Sequence, residues 1–329
     1  MRKFLQSLFR ITSAVIVVTT ALGLALGWAL RQPNLGAVPY SAALHADPGR
    51  LEAHVRFLAS PDHSRCADDA DGLERAATYI ASAFRRTRAR VSEQVYQAGG
   101  RPMRNLIALL GPAAGPRVVV GAHYDAFGDF PGADDNASGV AGILELTRLL
   151  DPQTLATPVE LVAYSTEEPP YFGSPDMGSA IHAGALSKSA AQVRAMISLE
   201  MIGYFSPTQP KVNPLIHLLY PGNGRFIALV GRWDDRDLVR TAKKCFRGAT
   251  EVQAVSYSGP VSLGSDLSDQ RNYWALGYPG LMVTDTAFMR NPNYHGKTDT
   301  ADTLDYRRMA GVVDGIANTA VHLANDPRR

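Results

Sequence analysis

Cysteine is almost missing from this chain, which has two in 329 residues, Cys66 and Cys245, far apart in sequence. That scarcity excludes a CxxC zinc ribbon, a thioredoxin-type redox motif and a small scaffold held by disulfides. A metal here would have to be held by histidines and carboxylates. An excess of charge is missing too: 33 basic against 31 acidic side chains leave a formal charge of +2. Nothing therefore argues for a nucleic-acid partner or for coating an anionic membrane. The GxSxG elbow of serine hydrolases does not occur, and GNGRFIALVG at 222–231 lacks the third glycine of a dinucleotide fingerprint. What is present is apolar material, 46% hydrophobic against 19% charged, enough to bury a sizeable core.

Long uncharged runs are scarce, with one exception. ITSAVIVVTTALGLALGWAL at 11–30 follows Arg2, Lys3 and Arg10 and precedes Arg31. At ~1.5 Å rise per residue such a run covers a hydrocarbon core of ~30 Å. The basic N-terminal flank predicts that everything after Arg31 is exported. Residues 1–31 are thus expected to form a signal anchor that contacts the membrane through 11–30. The rival is a cleaved signal peptide, for which Ala25-Leu26-Gly27 offers a small-residue site. The anchored form would present its body on the periplasmic or extracellular side, and the cleaved form would be secreted. Residues 32–46, with Pro33, Gly36 and Pro39, read as a linker, and 47–329 as one large domain.

Apolar residues recur at helical spacing over 48–60 and 71–88. Two strands, 89–97 and 104–111, flank Gly99-Gly100 and predict a hairpin. Strands and helices then alternate: strand 117–125, helix 139–150, strand 159–165, helix 179–195, strand 196–201, strands at 215–219 and 225–231, helix 234–248, strand 251–257, helix 266–276, strand 280–286 and a last helix from about Leu304. The order and the unbroken apolar strands predict an α/β three-layer sandwich, with a mostly parallel mixed sheet covered by helices on both faces.

In such a sheet the chemistry belongs at the carboxyl ends of the strands. Those ends carry His123 and Asp125, the acidic loop with Asp134 and Asp135, the pair Glu167-Glu168, Glu200 and, after the last strand, His295. The other histidines, His45, His54, His63, His182, His217 and His322, lie away from such clusters. The glutamate pair says most. Two adjacent carboxylates repel unless a cation neutralises them. A solvated acidic turn has the same letters, but a divalent ion gives them a use: one glutamate binds it while its neighbour takes a proton from water.

The series HYD, GADDNASG, STEEPPYF with MGSAIHA, SLEMIGY, SDQRNYW and YHGKTDTADTL resembles the dizinc aminopeptidase family, in its bacterial-type membrane-anchored or secreted form. These zinc exopeptidases are related to glutamate carboxypeptidase, glutaminyl cyclase and the transferrin receptor ectodomain. The resemblance spans roughly 48–325 and implies a zinc-peptidase catalytic domain over 47–329. It implies two Zn2+ ions, one held by His123, Asp135 and Glu200 and the other by Asp135, Glu168 and His295. Asp135 is taken over Asp134 because the family's bridging aspartate stands three residues before the serine of a Ser-Gly pair, here Ser138-Gly139. Glu167 would be the general base, Asp125 would orient His123, and Tyr294 would steady the oxyanion. Two departures stand out: Glu200 replaces a commoner aspartate, and Ser268-Asp269-Gln270 replaces Ser-Asp-His.

By the same resemblance the chain is a metallo-aminopeptidase. It would hydrolyse the N-terminal peptide bond of a peptide or small protein through water activated by two zincs, with the carboxylates favouring a free α-amine. Ile202, Tyr204, Phe205, Tyr257 and Phe288 lie in the 202–290 region from which a side-chain pocket would come, though composition favours core for each. Two other readings stand beside it, a glutaminyl cyclase-type acyltransferase with one zinc and a non-catalytic binding module on the same fold.

Overall fold

The computed structural model describes residues 15–23, 25–29, 36–40, 44–62, 64–210, 220–261 and 264–327. Two helices open the body. Helix α1 (Pro48–Leu58) starts behind Asp47, which accepts from the Gly49 amide at 2.8 Å, with proline in the first turn where no amide is needed. Helix α2 (Ala70–Phe84) starts the same way behind Asp69, which accepts from the Gly72 amide at 3.0 Å. The expected hairpin forms from β1 (Arg90–Ala98) and β2 (Arg101–Leu110), antiparallel. Gly99 and Gly100 turn it at φ of +57° and +75°, the sign that a two-residue hairpin turn needs.

The alternating part comprises β3 (Arg117–His123), α3 (Gly139–Leu150), β4 (Val159–Tyr164), α4 (Gly178–Lys188), β5 (Val193–Glu200), β6 (Phe226–Arg232), α5 (Arg236–Ala249), β7 (Gln253–Gly259), α6 (Gln270–Ala275), β8 (Gly280–Thr284) and α7 (Tyr306–Asn325). The strands make one sheet in the order β1-β2-β4-β3-β5-β8-β6-β7. The pairs β3/β4, β3/β5, β5/β8 and β6/β7 are parallel, and β1/β2, β2/β4 and β6/β8 antiparallel. Val118 and Val120 of β3 join a core with Leu51 of α1, Ile80 of α2, Leu146 of α3, Val239 of α5 and Ile316 of α7. Val119, between them, faces the other way toward Ala183 and Leu186 of α4 and Tyr273 of α6. Helices therefore cover both faces, and that double burial is why β3 and β8 read as apolar runs without polar alternation. Because β3, β4, β5 and β8 run in parallel, their carboxyl ends meet on one edge.

Some expectations fall differently. The helix expected over 179–195 stops at Lys188, the chain turns at Ala190 with φ +53°, and Val193–Ala195 already belong to β5. The local letters suit a helix, but Val193 and Ala195 pair with Arg117 and Val118 and are buried in the sheet, and burial outweighs propensity. The helix expected over 266–276 is confined to Gln270–Ala275. The strand expected at 215–219 lies outside the described residues.

The amino-terminal expectation gains no support. The run 11–30 lies partly outside the described residues; within it 15–23 and 25–29 are helical, and Val15, Val18, Leu22 and Trp28 are exposed. Among the described residues no helix is long and apolar enough to cross a membrane. The described part of the linker is bonded to the body. The Val38 amide donates to Lys244 O at 3.0 Å, and Asp314 accepts from the Ala46 amide at 2.8 Å while its other oxygen meets His45 Nδ1 at 2.8 Å.

Leu146, fully buried on α3 between the sheet and α7, reports on this packing. Leu146→Ala is expected to cost ~2–5 kcal/mol, read as a lowered urea midpoint at unchanged slope.

Candidate metal centre

Each element contributes from its carboxyl end. His123 is the last residue of β3, at the level of Tyr164, after which β4 runs through Thr166 into Glu167 and Glu168. Glu200 closes β5. Asp135 lies in the irregular turn Ala133–Ser138 ahead of α3, and His295 in the loop after β8. The backbone is unusual at several of these points: Thr166, Met201 and His295 have φ of +59°, +52° and +52°, a region that costs L-residues energy and tends to cluster at functional sites.

The structure brings six expected residues around one hollow. Asp135 faces His123 with one oxygen, Oδ1 to Nε2 at 3.4 Å, and His295 with the other, Oδ2 to Nε2 at 3.1 Å. Glu200 Oε2 stands 3.5 Å and Glu167 Oε2 3.9 Å from His123 Nε2, and Glu168 Oε1 stands 3.3 Å from His295 Nε2. Three overlapping sets have candidate ligand atoms within 4.8 Å of one another: His123, Asp135 and Glu200; Asp135, Glu168 and His295; and His123, Glu167 and Glu168. Asp134 turns away, accepting from the Gly203 amide at 3.0 Å and Asn291 Nδ2 at 2.8 Å. Tyr294 stacks on His295, with ring centroids 3.8 Å apart.

Asp125 differs in detail from expectation. The Nδ1 of His123 meets the Asp125 backbone carbonyl at 3.2 Å, while the carboxylate Oδ1 stands at 3.5 Å. The carboxylate accepts from the Glu167 and Glu168 amides, at 3.1 and 3.0 Å. Asp125 thus fixes the glutamate pair through its carboxylate and meets the imidazole through its backbone carbonyl. Of the pocket candidates, Ile202 is fully buried in the main core and Tyr204 and Phe205 pack against it. Phe288, partly exposed, lies 5.7 Å from Tyr294 between ring centroids.

Four residues were not singled out from the sequence. Ser268 Oγ donates to Glu200 Oε2 at 2.6 Å. Asp299 accepts from the Asp134 and Asp135 amides at 3.0 and 3.1 Å and so holds the loop that carries Asp135. Arg65, fully buried, donates from Nε to Tyr124 O at 2.9 Å and from Nη2 to Gly132 O at 2.8 Å, with Leu58 O as a third acceptor. Phe127 lies on His295 at 3.9 Å between ring centroids. Ser268 and Asp299 sit inside motifs already noted; Arg65 and Phe127 carry no local signal. Gly132 is required where it stands: φ is +58°, and a Cβ there would come within 2.3 Å of Asp135 O and 2.8 Å of Arg65 Nη2.

Burial dominates the electrostatics. It raises Glu167 well above the usual carboxylate range, against the His123 charge and helped by Glu200. It raises Glu168 to about 7, together with the Asp135 charge. It also raises Glu200, partly offset by His123, and Asp269, fully buried next to Ser268, to about 7. Asp135 alone goes down, because hydrogen bonds and charge from both histidines overcome its burial. Burial works against the charge on His295, yet Asp135 and Glu168 raise it to about 9. Burial lowers Arg65 to about 10 against the pull of Asp299 and Asp125, so it stays cationic at neutral pH.

The donor set fits a divalent ion. His123 Nε2, Glu168 Oε1 and His295 Nε2 are buried without a hydrogen-bond partner, and all belong to the sets above. Buried polar atoms are rarely left so, and imidazole nitrogen with carboxylate oxygen is a set that zinc takes.

Comparison with known proteins places the chain in a family. The profile of peptidase family M28 matches residues 105–320. The chain is 46% identical over 297 residues to YfbL of Escherichia coli, covering 87% of this chain and 91% of that protein. It is 26% identical over 325 residues to leucine aminopeptidase 1 of Ajellomyces dermatitidis, covering 92% and 76%. In fold it is similar to the glutaminyl cyclase of Porphyromonas gingivalis, with a TM-score of 0.66 and 19% identity over 84% of this chain and 98% of that one.

His295, raised to about 9, is protonated at neutral pH and Glu168, raised to about 7, is partly so, and a metal taking these atoms would have to displace those protons. Zinc uptake at pH 7 is therefore expected to release protons, and affinity to rise as pH climbs from 6 through about 9. Calorimetry in buffers of different ionisation enthalpy checks the release; an affinity flat across that range would refute it.

Proposed function

As the chain belongs to peptidase family M28, we propose that it is a zinc-dependent aminopeptidase that removes N-terminal residues from peptides. His123, Asp135 and Glu200 would hold one ion, and Asp135, Glu168 and His295 a second. The observation that carries this is Asp135, whose two oxygens face two different histidines 3.4 and 3.1 Å away. A single ion between His123 and Asp135 would leave His295 and Glu168 buried with no partner for Nε2 and Oε1. Glu200, though longer than aspartate, is still aimed at His123, because Ser268 holds its Oε2.

Zinc held by these residues would supply Lewis acidity toward water and a peptide carbonyl. The chain's own residues do the rest. Glu167, in none of the two ligand sets but 3.9 Å from His123, takes the proton of the attacking water and returns it to the leaving amine. Its burial raises it well above the usual carboxylate range, which makes it a stronger base for the water proton. The Asp125 carboxylate, accepting from both glutamate amides, keeps Glu167 and Glu168 on their separate tasks. Burial raises the Tyr294 phenol, so it remains a hydrogen-bond donor for the developing oxyanion. A free α-amine is cationic at neutral pH, and the carboxylates favour it over an internal peptide.

Purified full-length protein tests this by hydrolysis of aminoacyl amides, with cyclisation of glutaminyl peptides and zinc content measured in parallel. Chelation is expected to abolish hydrolysis. Glu167→Gln is expected to lower kcat by about 100-fold or more while zinc content is kept. Full activity in that variant would remove Glu167 as the base; cyclisation without hydrolysis would replace the aminopeptidase reading with a cyclase.

A further inference from the structure

The two histidines of the centre are oriented by different means. His123 Nδ1 meets the Asp125 carbonyl at 3.2 Å, the arrangement usual for a metal-bound imidazole. For His295, no described residue accepts a hydrogen bond from Nδ1. Its backbone gives it no rest either, since φ is +52° on a residue with a side chain. What holds the ring is aromatic. Phe127 lies 3.9 Å from it between centroids at an interplanar angle of 2°, and Tyr294 lies 3.8 Å from it at 15°. Two near-parallel rings at that distance cannot share one face of an imidazole, so they cover opposite faces. Phe127 is braced by Phe130, 6.0 Å away between centroids. The cavity behind, lined by Phe127, Phe130, Gly132, Asp135, His295 and Asp299, is only about 10 Å3, room for at most one water.

We infer that Phe127 is a positioning residue that, with Tyr294, clamps His295 so that Nε2 points between Asp135 and Glu168 and the second zinc is held. The clamp does by stacking what a hydrogen bond to Nδ1 does for His123. It fixes rotation about the side-chain bonds, leaving Nε2 at 3.1 Å from Asp135 and 3.3 Å from Glu168. An aliphatic side chain of similar bulk would fill the space without a flat face to fix the ring plane. This inference rests on the two-zinc reading above.

Titration of the full chain with zinc against a chromophoric chelator tests it, beside thermal melting of the metal-free protein and the visible spectrum of the cobalt-substituted form. His295→Ala is expected to weaken one of two equivalents. Phe127→Leu is expected to weaken the same equivalent about tenfold or more, to alter the cobalt spectrum and to leave the other equivalent unchanged, whereas Phe127→Tyr restores wild-type binding. Should Phe127→Leu not fold, Tyr294→Leu removes the opposite ring and should weaken that same equivalent. If His295→Ala weakens an equivalent while Phe127→Leu, or in its place Tyr294→Leu, binds both as wild type does, the clamp is refuted and the metal reading stands. If His295→Ala binds both unchanged, both fall together.

Discussion

Asp135 has to present one oxygen to His123 and the other to His295, and much of the surrounding structure serves that demand. The carboxylate rides on an irregular turn rather than on regular helix or strand, so its position must be fixed from outside. Asp299 fixes it from below by accepting from the Asp134 and Asp135 amides. Arg65 fixes it from behind by holding Gly132 O, while also holding Tyr124 O beside His123. One buried guanidinium thus ties the loop of Asp135 to the end of β3. The glycine between them tolerates no side chain. Asp134, the other candidate by position alone, is consumed in holding Gly203 and Asn291.

A second constraint is the cost of burying charge. Several carboxylates taken out of water together each lose several kcal/mol of solvation unless paired. Two imidazoles balance at most two of the four carboxylates, and burial pushes Glu167 and Glu168 toward the neutral form. The pocket answers in part with amides: Asp125 and Asp299 each accept two backbone N–H groups. Among the buried atoms left without a partner are His123 Nε2, His295 Nε2, Glu168 Oε1 and both oxygens of Asp269. Stability has been given up locally for a cation-binding geometry, and strained backbone at Thr166, Met201 and His295 is part of the same exchange.

Much of the fold and site could be read from the letters. Unbroken apolar strands alternating with helical periods are enough for a doubly covered sheet, because burial on both faces leaves no polar alternation. Parallel strands put their carboxyl ends on one edge, so strand order alone predicts that His123, Glu167-Glu168 and Glu200 gather. The misplaced boundary at 189–195 shows where local reading fails: helix propensity is local, whereas strand pairing to β3 depends on residues more than seventy positions away.

What the sequence by itself determined was the kind of chemistry, since too few cysteines and a set of histidines and carboxylates at strand ends leave an oxygen and nitrogen metal site. Only the tertiary structure decided which neighbouring atoms meet. It turned Asp134 away and Asp135 in, gave the Asp125 carboxylate to the glutamate amides and its backbone carbonyl to His123, and brought Arg65, Ser268 and Asp299 behind the site. It also stacked Phe127 on His295, two residues far apart in the chain. The reason is physical: residue type fixes what an atom can bind, but hydrogen bonds and stacking act over a few ångströms, and only the folded chain sets those separations.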